Sequence, residues 1–246
     1  MNLAIDIGNT TSKAGVFNND TLVEQFRLTD NPYDEITIAV KKYHVKNMIY
    51  CTVREKIHER LIRDLSDRGL FITLLDQRLP VPLKNLYATP DTLGYDRLAA
   101  AAGGWALSPA KNILIIDAGT AITYDFVTAQ AEFTGGNISP GIQLRYKALN
   151  EYTGKLPLLQ PTMEYPESGN NTISAITAGV QTGILFEMEQ YILRFTGKYP
   201  GLTIYLTGGD AKYFEKPLKN RIFAEPNLVL IGLNNILNYN LNEKTI

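Results

Sequence analysis

Two stretches of this chain carry the same pattern. NLAIDIGNTTSKAGVF at the start and ILIIDAGTAITYDFV near the middle align without a gap, placing Asp6 over Asp117, Gly8 over Gly119 and Val16 over Val127. Each reads as a short β-branched strand ending on an aspartate, then a glycine turn rich in hydroxyl or amide side chains, then a second strand. A repeat at this separation divides the chain into related halves, 1–110 and 111–246, and constrains the fold more than any other feature. In the first half a third strand, TLVEQFRLT, leads to a helix in YDEITIAVKKY, a strand in NMIYCTV, a charged helix in EKIHERLIRDLSDRG and a strand in LFITLL. The second half repeats the order with a strand in AEFTGGNIS, a helix in IQLRYKALNEY and a long helix from about Ser174 to Phe195. In that helix Ile176, Val180, Ile184, Met188 and Ile192 recur every four residues, and Leu185 and Phe195 widen the stripe. A strand in LTIYL, the turn TGGD, a short helix in AKYFEK and a final strand and helix in NLVLIGLNNILNYN complete it. The expected fold class is therefore α/β, two duplicated halves, each a mixed five-stranded sheet flanked by helices, packed closely around a cleft.

Composition excludes more than it suggests. Twenty-four basic against 25 acidic residues leave a net charge of −1, so no overall basic field invites nucleic acid. No stretch reaches the roughly 18 uninterrupted apolar residues of a membrane helix, and the first residues lack a basic, apolar leader. A cytoplasmic protein with no membrane partner is expected. The single cysteine, Cys51, lies in an apolar run and reads as core. His44 and His58 lack metal-ligand spacing and read as surface residues.

The aspartate turns have a specific chemical use. Gly8 and Gly119 let the backbone turn sharply and approach a phosphate, while backbone N–H groups and the hydroxyls of Thr10, Thr11, Ser12, Thr120 and Thr123 can donate to its oxygens. A carboxylate at the strand end can hold Mg²⁺, directly or through water, and Lys13 adds a mobile positive charge. One Asp-x-Gly after a strand is ordinarily a plain turn. Two matching copies, each closing the first strand of a half, point to phosphate chemistry.

At these residues the chain resembles the superfamily of sugar kinases, Hsp70 and actin, with its paired aspartate turns and a late glycine pair. That resemblance implies ribonuclease H-like halves of the actin-like ATPase type. Four stretches, DIGNTTSK (Asp6 to Lys13), GYDR (Gly94 to Arg97), DAGTAIT (Asp117 to Thr123) and GGNISPG (Gly135 to Gly141), look like type III pantothenate kinase in order and spacing. The resemblance implies phosphorylation of the primary hydroxyl of pantothenate by ATP, the first step of coenzyme A synthesis. It also implies a homodimer that uses Mg²⁺ and a monovalent cation, K⁺ or NH₄⁺. Residue by residue, Asp6, Ile7, Gly8, Asn9, Thr10, Thr11, Ser12 and Lys13 match the first ATP-binding loop, with Asp6 near the Mg²⁺. Thr120 matches the ATP-contacting threonine of the second loop, and Asp117 the monovalent-cation ligand. Gly94, Tyr95, Asp96 and Arg97 match the pantothenate-binding segment with Asp96 as catalytic base, and Tyr87 and Thr172 match further pantothenate contacts. Two departures stand out: the run CTVREK lacks the family's proline-rich turn, and TAQAEF lacks a glycine often found before the acidic residue.

Taken without the resemblance, these residues keep plainer alternatives. Asp96 precedes LAAAAGGWAL, a small-residue helix suited to close packing, and so reads equally as a charge at a helix start. Arg97 suits a planar pairing with a substrate carboxylate or an internal ion pair. Tyr87 and Trp105 read as core or interface aromatics. Fold alone leaves three other functions open: another small-molecule kinase, a non-catalytic regulator and an ATP-driven scaffold.

Overall fold

The computed structural model of the chain describes residues 1–8, 11–52, 59–218 and 222–243. The elements run β1 (Asn2–Ile7), β2 (Ser12–Asn18), β3 (Thr21–Leu28), α1 (Tyr33–Lys42), β4 (Asn47–Thr52), α2 (Glu59–Asp67), β5 (Phe71–Leu74) and β6 (Lys84–Asn85). They continue with α3 (Tyr95–Leu107), β7 (Ile113–Ala118), β8 (Ala121–Val127), β9 (Glu132–Pro140), α4 (Ile142–Glu151), α5 (Thr172–Thr177), α6 (Gly183–Lys198), β10 (Thr203–Thr207), β11 (Phe223–Ala224) and α7 (Leu228–Glu243). Two compact units form. One comprises Met1–Ala110, Gln130–Thr134 and Asn227–Ile246, the other Lys111–Ala129 and Gly135–Pro226.

In the first unit the sheet has the order β3-β2-β1-β4-β5. The hairpin pairs are antiparallel, whereas β1–β4 and β4–β5 are parallel because a helix carries each crossover. Leu3, Ile5, Ala14 and Val16 meet Ile36, Ala39 and Val40 of α1 and Leu61 and Leu65 of α2. Asn2 and Ala4 alternate with those residues and point to the opposite face, where α7 packs on β1, β2 and β4. With both faces covered, β1 must be apolar at successive positions, which is why it reads as a continuous run.

Helix α7 corrects one expectation. NLVLIG reads as a strand before a helix, but Leu228 to Glu243 is a single helix with Leu228, Val229, Leu230, Leu233, Ile236 and Leu237 buried. A helix enclosed by a sheet on one side and another helix on the other is apolar nearly all round, and over a short window that pattern equals a buried strand's. Its neighbour is α3, the anticipated small-residue helix. The approach is backbone to backbone: a Cβ on Gly232 would lie 1.7 Å from the Ala99 carbonyl oxygen, and one on Gly103 2.2 Å from that of Leu228. Polar groups lock the same helix in register. Asn2 Nδ2 donates to Oδ1 of Asn234 and Asn238 at 3.0 and 2.7 Å, and Asn47 Nδ2 donates to Asn2 Oδ1 at 3.0 Å.

The other sheet has the order β11-β10-β7-β8-β9-β6. It has six strands rather than the expected five: NLVLIG supplies none, while Phe223–Ala224 adds β11 beside β10 and Lys84–Asn85 adds β6, paired with Glu132 and Phe133 at the start of β9 within the first unit. Two residues are too short a run to show a strand's periodicity. The duplicated hairpins also differ. Asp6 pairs with Lys13, but Asp117 pairs with Thr123, so the second turn is one residue tighter and the ungapped match ends at the glycine.

The long helix begins earlier than expected, at Thr172, under a reciprocal cap. Asn171 Oδ1 accepts from the Ser174 N–H at 3.0 Å, and Ser174 Oγ accepts from the Asn171 N–H at 3.2 Å. Between α5 and α6 the backbone widens into a π turn at Ala178–Thr182. This turn explains the four-residue stripe. At about 100° per residue, each step of four overshoots a full α-helical turn by about 40°, and the stripe would drift off the core. One π turn absorbs an extra residue and keeps Ile176, Val180, Ile184, Met188 and Ile192 in one buried cluster. After β10, AKYFEK forms only a 3₁₀ turn at Ala211–Tyr213. The CTVREK turn beyond Thr52, the start of the charged helix and His58 lie outside the described residues, while His44 is exposed as expected.

The α3–α7 contact yields a prediction. Gly232→Ala gains helix propensity, yet its methyl meets main chain that no rotamer change can move. We expect a net loss of about 3 kcal/mol in unfolding free energy, read as a lower urea midpoint at unchanged slope. A midpoint at or above the parent's would contradict so close an approach.

Candidate active site

In the first unit Asp6 closes β1. It pairs in register with Lys13 across the hairpin and with Cys51 on the parallel strand β4, so the three side chains share one face. Cys51 is buried and its Sγ donates to Asp6 Oδ1 at 3.5 Å. The turn that follows is tied by the Gly8 N–H donating to the Thr11 carbonyl at 3.1 Å. Asn9 and Thr10, both expected in this loop, lie outside the described residues. Burial raises the Asp6 pKa, Lys13 opposes the rise, the charge of Asp96 adds to it and the Cys51 hydrogen bond lowers it. The Cys51 thiol is itself held well above its ordinary value by burial and then by the Asp6 and Asp96 charges. Cys51 is thus the core residue its sequence context suggests, and also a partner of Asp6 that strand pairing alone reveals.

Asp96 stands in the first turn of α3, whose N-cap is Gly94 rather than an acidic residue. Its Oδ1 accepts from the Arg97 N–H at 2.9 Å. That bond orients the carboxylate at the helix start, where backbone N–H groups favour an anion. Arg97 is buried, and its guanidinium lies 5.5 Å from the centre of the Tyr87 ring. Tyr87 is fixed by its N–H donating to Asn85 Oδ1 at 3.0 Å and by a tilted contact with Phe133. The first unit therefore brings together Asp6, Lys13 and Asp96 as an interacting set, and Tyr87 with Arg97.

In the second unit Asp117 closes β7 and pairs with Thr207 on parallel β10. The turns after these strands interlock. The Gly119 N–H donates to the Ala121 carbonyl at 3.1 Å, the Gly141 N–H to the Thr120 carbonyl at 3.0 Å, and the Asp210 N–H to the Ala118 carbonyl at 2.9 Å. Gly208 has φ +96°, and a Cβ there would sit 2.5 Å from Asp117 Oδ1 and 2.4 Å from the Ala118 carbonyl oxygen. Only glycine lets the TGGD turn close over that carboxylate. The Thr207 hydroxyl beside Asp117 is buried without a hydrogen-bond partner among the described residues. Burial raises the pKa of Asp210, with Lys212 opposing. Thr120 and Thr172 are both exposed, Thr172 as the first residue of α5. Thr207 and Asp210, the ends of the TGGD turn, join this set through strand pairing and the turn itself.

Two strand ends, each with a carboxylate, a glycine turn and exposed donors, suit phosphate binding at the C-terminal ends of parallel strands. The sequence profile of type III pantothenate kinase matches residues 2–194. A type III pantothenate kinase of Bacteroides fragilis is 45% identical over 240 residues, covering 98% of this chain and 98% of that protein. One from Phocaeicola vulgatus is 46% identical over 241 residues, covering 98% and 99%. This chain belongs to the type III pantothenate kinase family. Solved structures agree on the fold. A Campylobacter jejuni protein assigned to the Baf family of transcriptional activators superposes with a TM-score of 0.62 at 24% identity, over 98% of this chain and 99% of that one. A Listeria monocytogenes protein assigned as an N-acetylmannosamine kinase superposes with a TM-score of 0.53 at 14% identity, over 99% of each. The α/β architecture of this pantothenate kinase family member is the duplicated ribonuclease H-like fold of actin-like ATPases and sugar kinases.

The raised Asp6 pKa has a consequence for stability. Its carboxyl is more easily ionised unfolded than folded, so the stability it contributes is full below the unfolded value near 3.8 and is lost as pH rises through the higher folded value. Asp6→Asn keeps the shape without the charge. We predict that it melts at higher temperature than the parent at neutral pH, with the gain fading as the pH is lowered toward 3.8. An equal gain at every pH would assign the effect to packing instead.

Proposed function

We propose that this chain transfers the γ-phosphoryl group of ATP to the primary hydroxyl of pantothenate, producing 4'-phosphopantothenate and ADP in the first step of coenzyme A biosynthesis. The observation that carries the reading is the rigid placement of Asp96, at a helix start beside buried Arg97 and within electrostatic reach of Asp6, in a chain nearly half identical to pantothenate kinases along its full length. In the first unit, residues Asp6 to Lys13 form the first ATP loop, and Gly94, Tyr95, Arg97 and Tyr87 hold pantothenate. The guanidinium of Arg97 suits its carboxylate as a planar fork. In the second unit Thr120 contacts ATP and Thr172 is a further pantothenate contact. The two actin-like halves are assigned to residues 1–110 and 111–246.

The residues fit the ions that such a reaction requires. Among the described residues no three His, Cys, Asp or Glu side chains cluster to hold a metal. A lone Asp6 suits Mg²⁺, which takes one or two carboxylates and completes its shell with phosphate and water. Asp117, with the orphaned Thr207 hydroxyl beside it, offers oxygen ligands to a monovalent cation, K⁺ or NH₄⁺. When bound, these cations neutralise phosphate charge.

The chemistry left to the protein is positioning and proton transfer. The pantothenate hydroxyl oxygen forms a bond to the γ-phosphorus in line with the breaking bond to the β-phosphate oxygen, and ADP leaves. Asp96 accepts the hydroxyl proton late in this step, a role worth about 10² to 10⁴ in rate. No phosphoenzyme forms. No helix among the described residues is long and apolar enough to cross a membrane. We place the enzyme in the cytoplasm as a homodimer acting on small molecules, without nucleic acid.

The test is ADP release by the purified protein with ATP, Mg²⁺ and K⁺, with pantothenate, with no acceptor and with a panel of sugars. We expect pantothenate-dependent turnover that falls by about 10² to 10⁴ in Asp96→Asn while the variant unfolds cooperatively with a midpoint no lower than the parent's. Turnover on a sugar alone, or none with any monovalent cation, would overturn the reading in favour of another kinase or a regulator.

A further inference from the structure

The second phosphate turn is held from behind by a side chain that neither aspartate motif includes. Arg145, in the first turn of α4, bonds three consecutive residues: Ser139 and Pro140 at the end of β9, and Gly141 at the N-cap of its own helix. Its backbone N–H donates to the Gly141 carbonyl at 3.1 Å, its Nε to the Pro140 carbonyl at 2.8 Å and its Nη2 to Ser139 Oγ at 2.7 Å. The same Nη2 meets Glu187 Oε2 on α6 at 2.5 Å. Glu187 is held in turn by the Tyr124 hydroxyl, which donates to Oε1 at 3.0 Å, and the Tyr124 ring stacks on Tyr191 one turn further along α6. The Arg145 and Glu187 side chains are 22% and 25% exposed, so the ion pair taken alone would contribute little. The fork is what matters, because a planar guanidinium bonded in several directions at once ties the strand end to the helix start.

This strand end leads into Gly141, the residue on which the Gly119–Thr120 turn rests. The Gly141 N–H binds the Thr120 carbonyl, and a Cβ at Gly141 would lie 2.2 Å from the Gly119 carbonyl oxygen and 2.6 Å from that of Thr120. Contact this close transmits displacement directly. A shift of a few tenths of an ångström at residues 139–141 moves the turn that presents Thr120.

We propose that Arg145, anchored by Glu187, is a positioning residue for the second phosphate turn, presetting Thr120 for the ATP phosphates without touching the nucleotide. The proposal rests on the reading of Thr120 as an ATP contact. It identifies a clamp built from a helix start (Arg145), a second helix (Glu187) and a strand (Tyr124), all within the second unit.

The experiment compares the full-length parent with Arg145→Met, Arg145→Lys and Glu187→Gln, measuring steady-state constants for both substrates and hydrogen exchange at the Gly141 amide. Arg145→Met is expected to raise KM for ATP about tenfold, the loss of charged hydrogen bonds to the strand end. KM for pantothenate should stay within about twofold, and the Gly141 amide should exchange faster while strand amides of β7 and β8 keep their protection. Arg145→Lys should recover part of the ATP affinity, since an ammonium replaces the charge but not the fork. Glu187→Gln should fall between the parent and Arg145→Met, and it keeps the inference testable if Arg145→Met does not fold. Unchanged ATP affinity with unchanged Gly141 protection overturns the clamp, as does an equal change in both KM values. If the parent does not phosphorylate pantothenate, the functional reading fails alone, and Gly141 exchange in the variants still decides the clamp.

Discussion

A carboxylate at the end of a buried strand is the constraint on which the first unit depends. Asp6 sits on β1, the central strand of a sheet covered on both faces, where ionisation is costly. Lys13 and Cys51 ease that cost, both delivered by strand pairing, while the charge of Asp96 increases it. A structure evolved for stability alone gains nothing from a second carboxylate within electrostatic reach of the first. Carboxylates held at such a cost in a rigid frame are characteristic of functional sites.

The frame must be rigid for the charges to stay in place, and here rigidity comes from main chain packed on main chain. The contact of α3 with α7 through Gly103 and Gly232 fixes the helix whose first turn carries Asp96. In the second unit the contact of Gly141 with the Gly119–Thr120 turn does the same for Thr120. Side chains can repack around a perturbation, whereas touching backbones can only separate. The two units thus use one device for different loads, a helix start in the first and a hairpin turn in the second.

Much of the fold and of the site was legible because short-range rules decide it. The strand–glycine–strand repeat specifies two hairpins, the run LAAAAGG specifies a helix that packs closely, and the carboxylates fall at strand ends where a turn can expose them. The misreadings have local physical causes. NLVLIG reads as a strand because an all-round apolar helix and a buried strand look alike over six residues. The four-residue stripe gave no warning that it needs a π turn. The repeat hid a one-residue difference because matching strand patterns carry no information about the length of the turn that joins them.

Sequence by itself determined the duplication, the order of most strands and helices, the family and the two aspartate turns, since each rests on periodicity or on neighbours a few residues apart. Tertiary structure alone decided which distant groups meet. Cys51 reaches Asp6 through parallel strand register, the Thr207 hydroxyl, unpartnered among the described residues, stands beside Asp117 through the β7–β10 pair, and Arg145 reaches Glu187 because α4 packs on the π turn that precedes α6. These are contacts across large sequence separations, set by how sheets and helices stack, and no pattern along the chain encodes them directly.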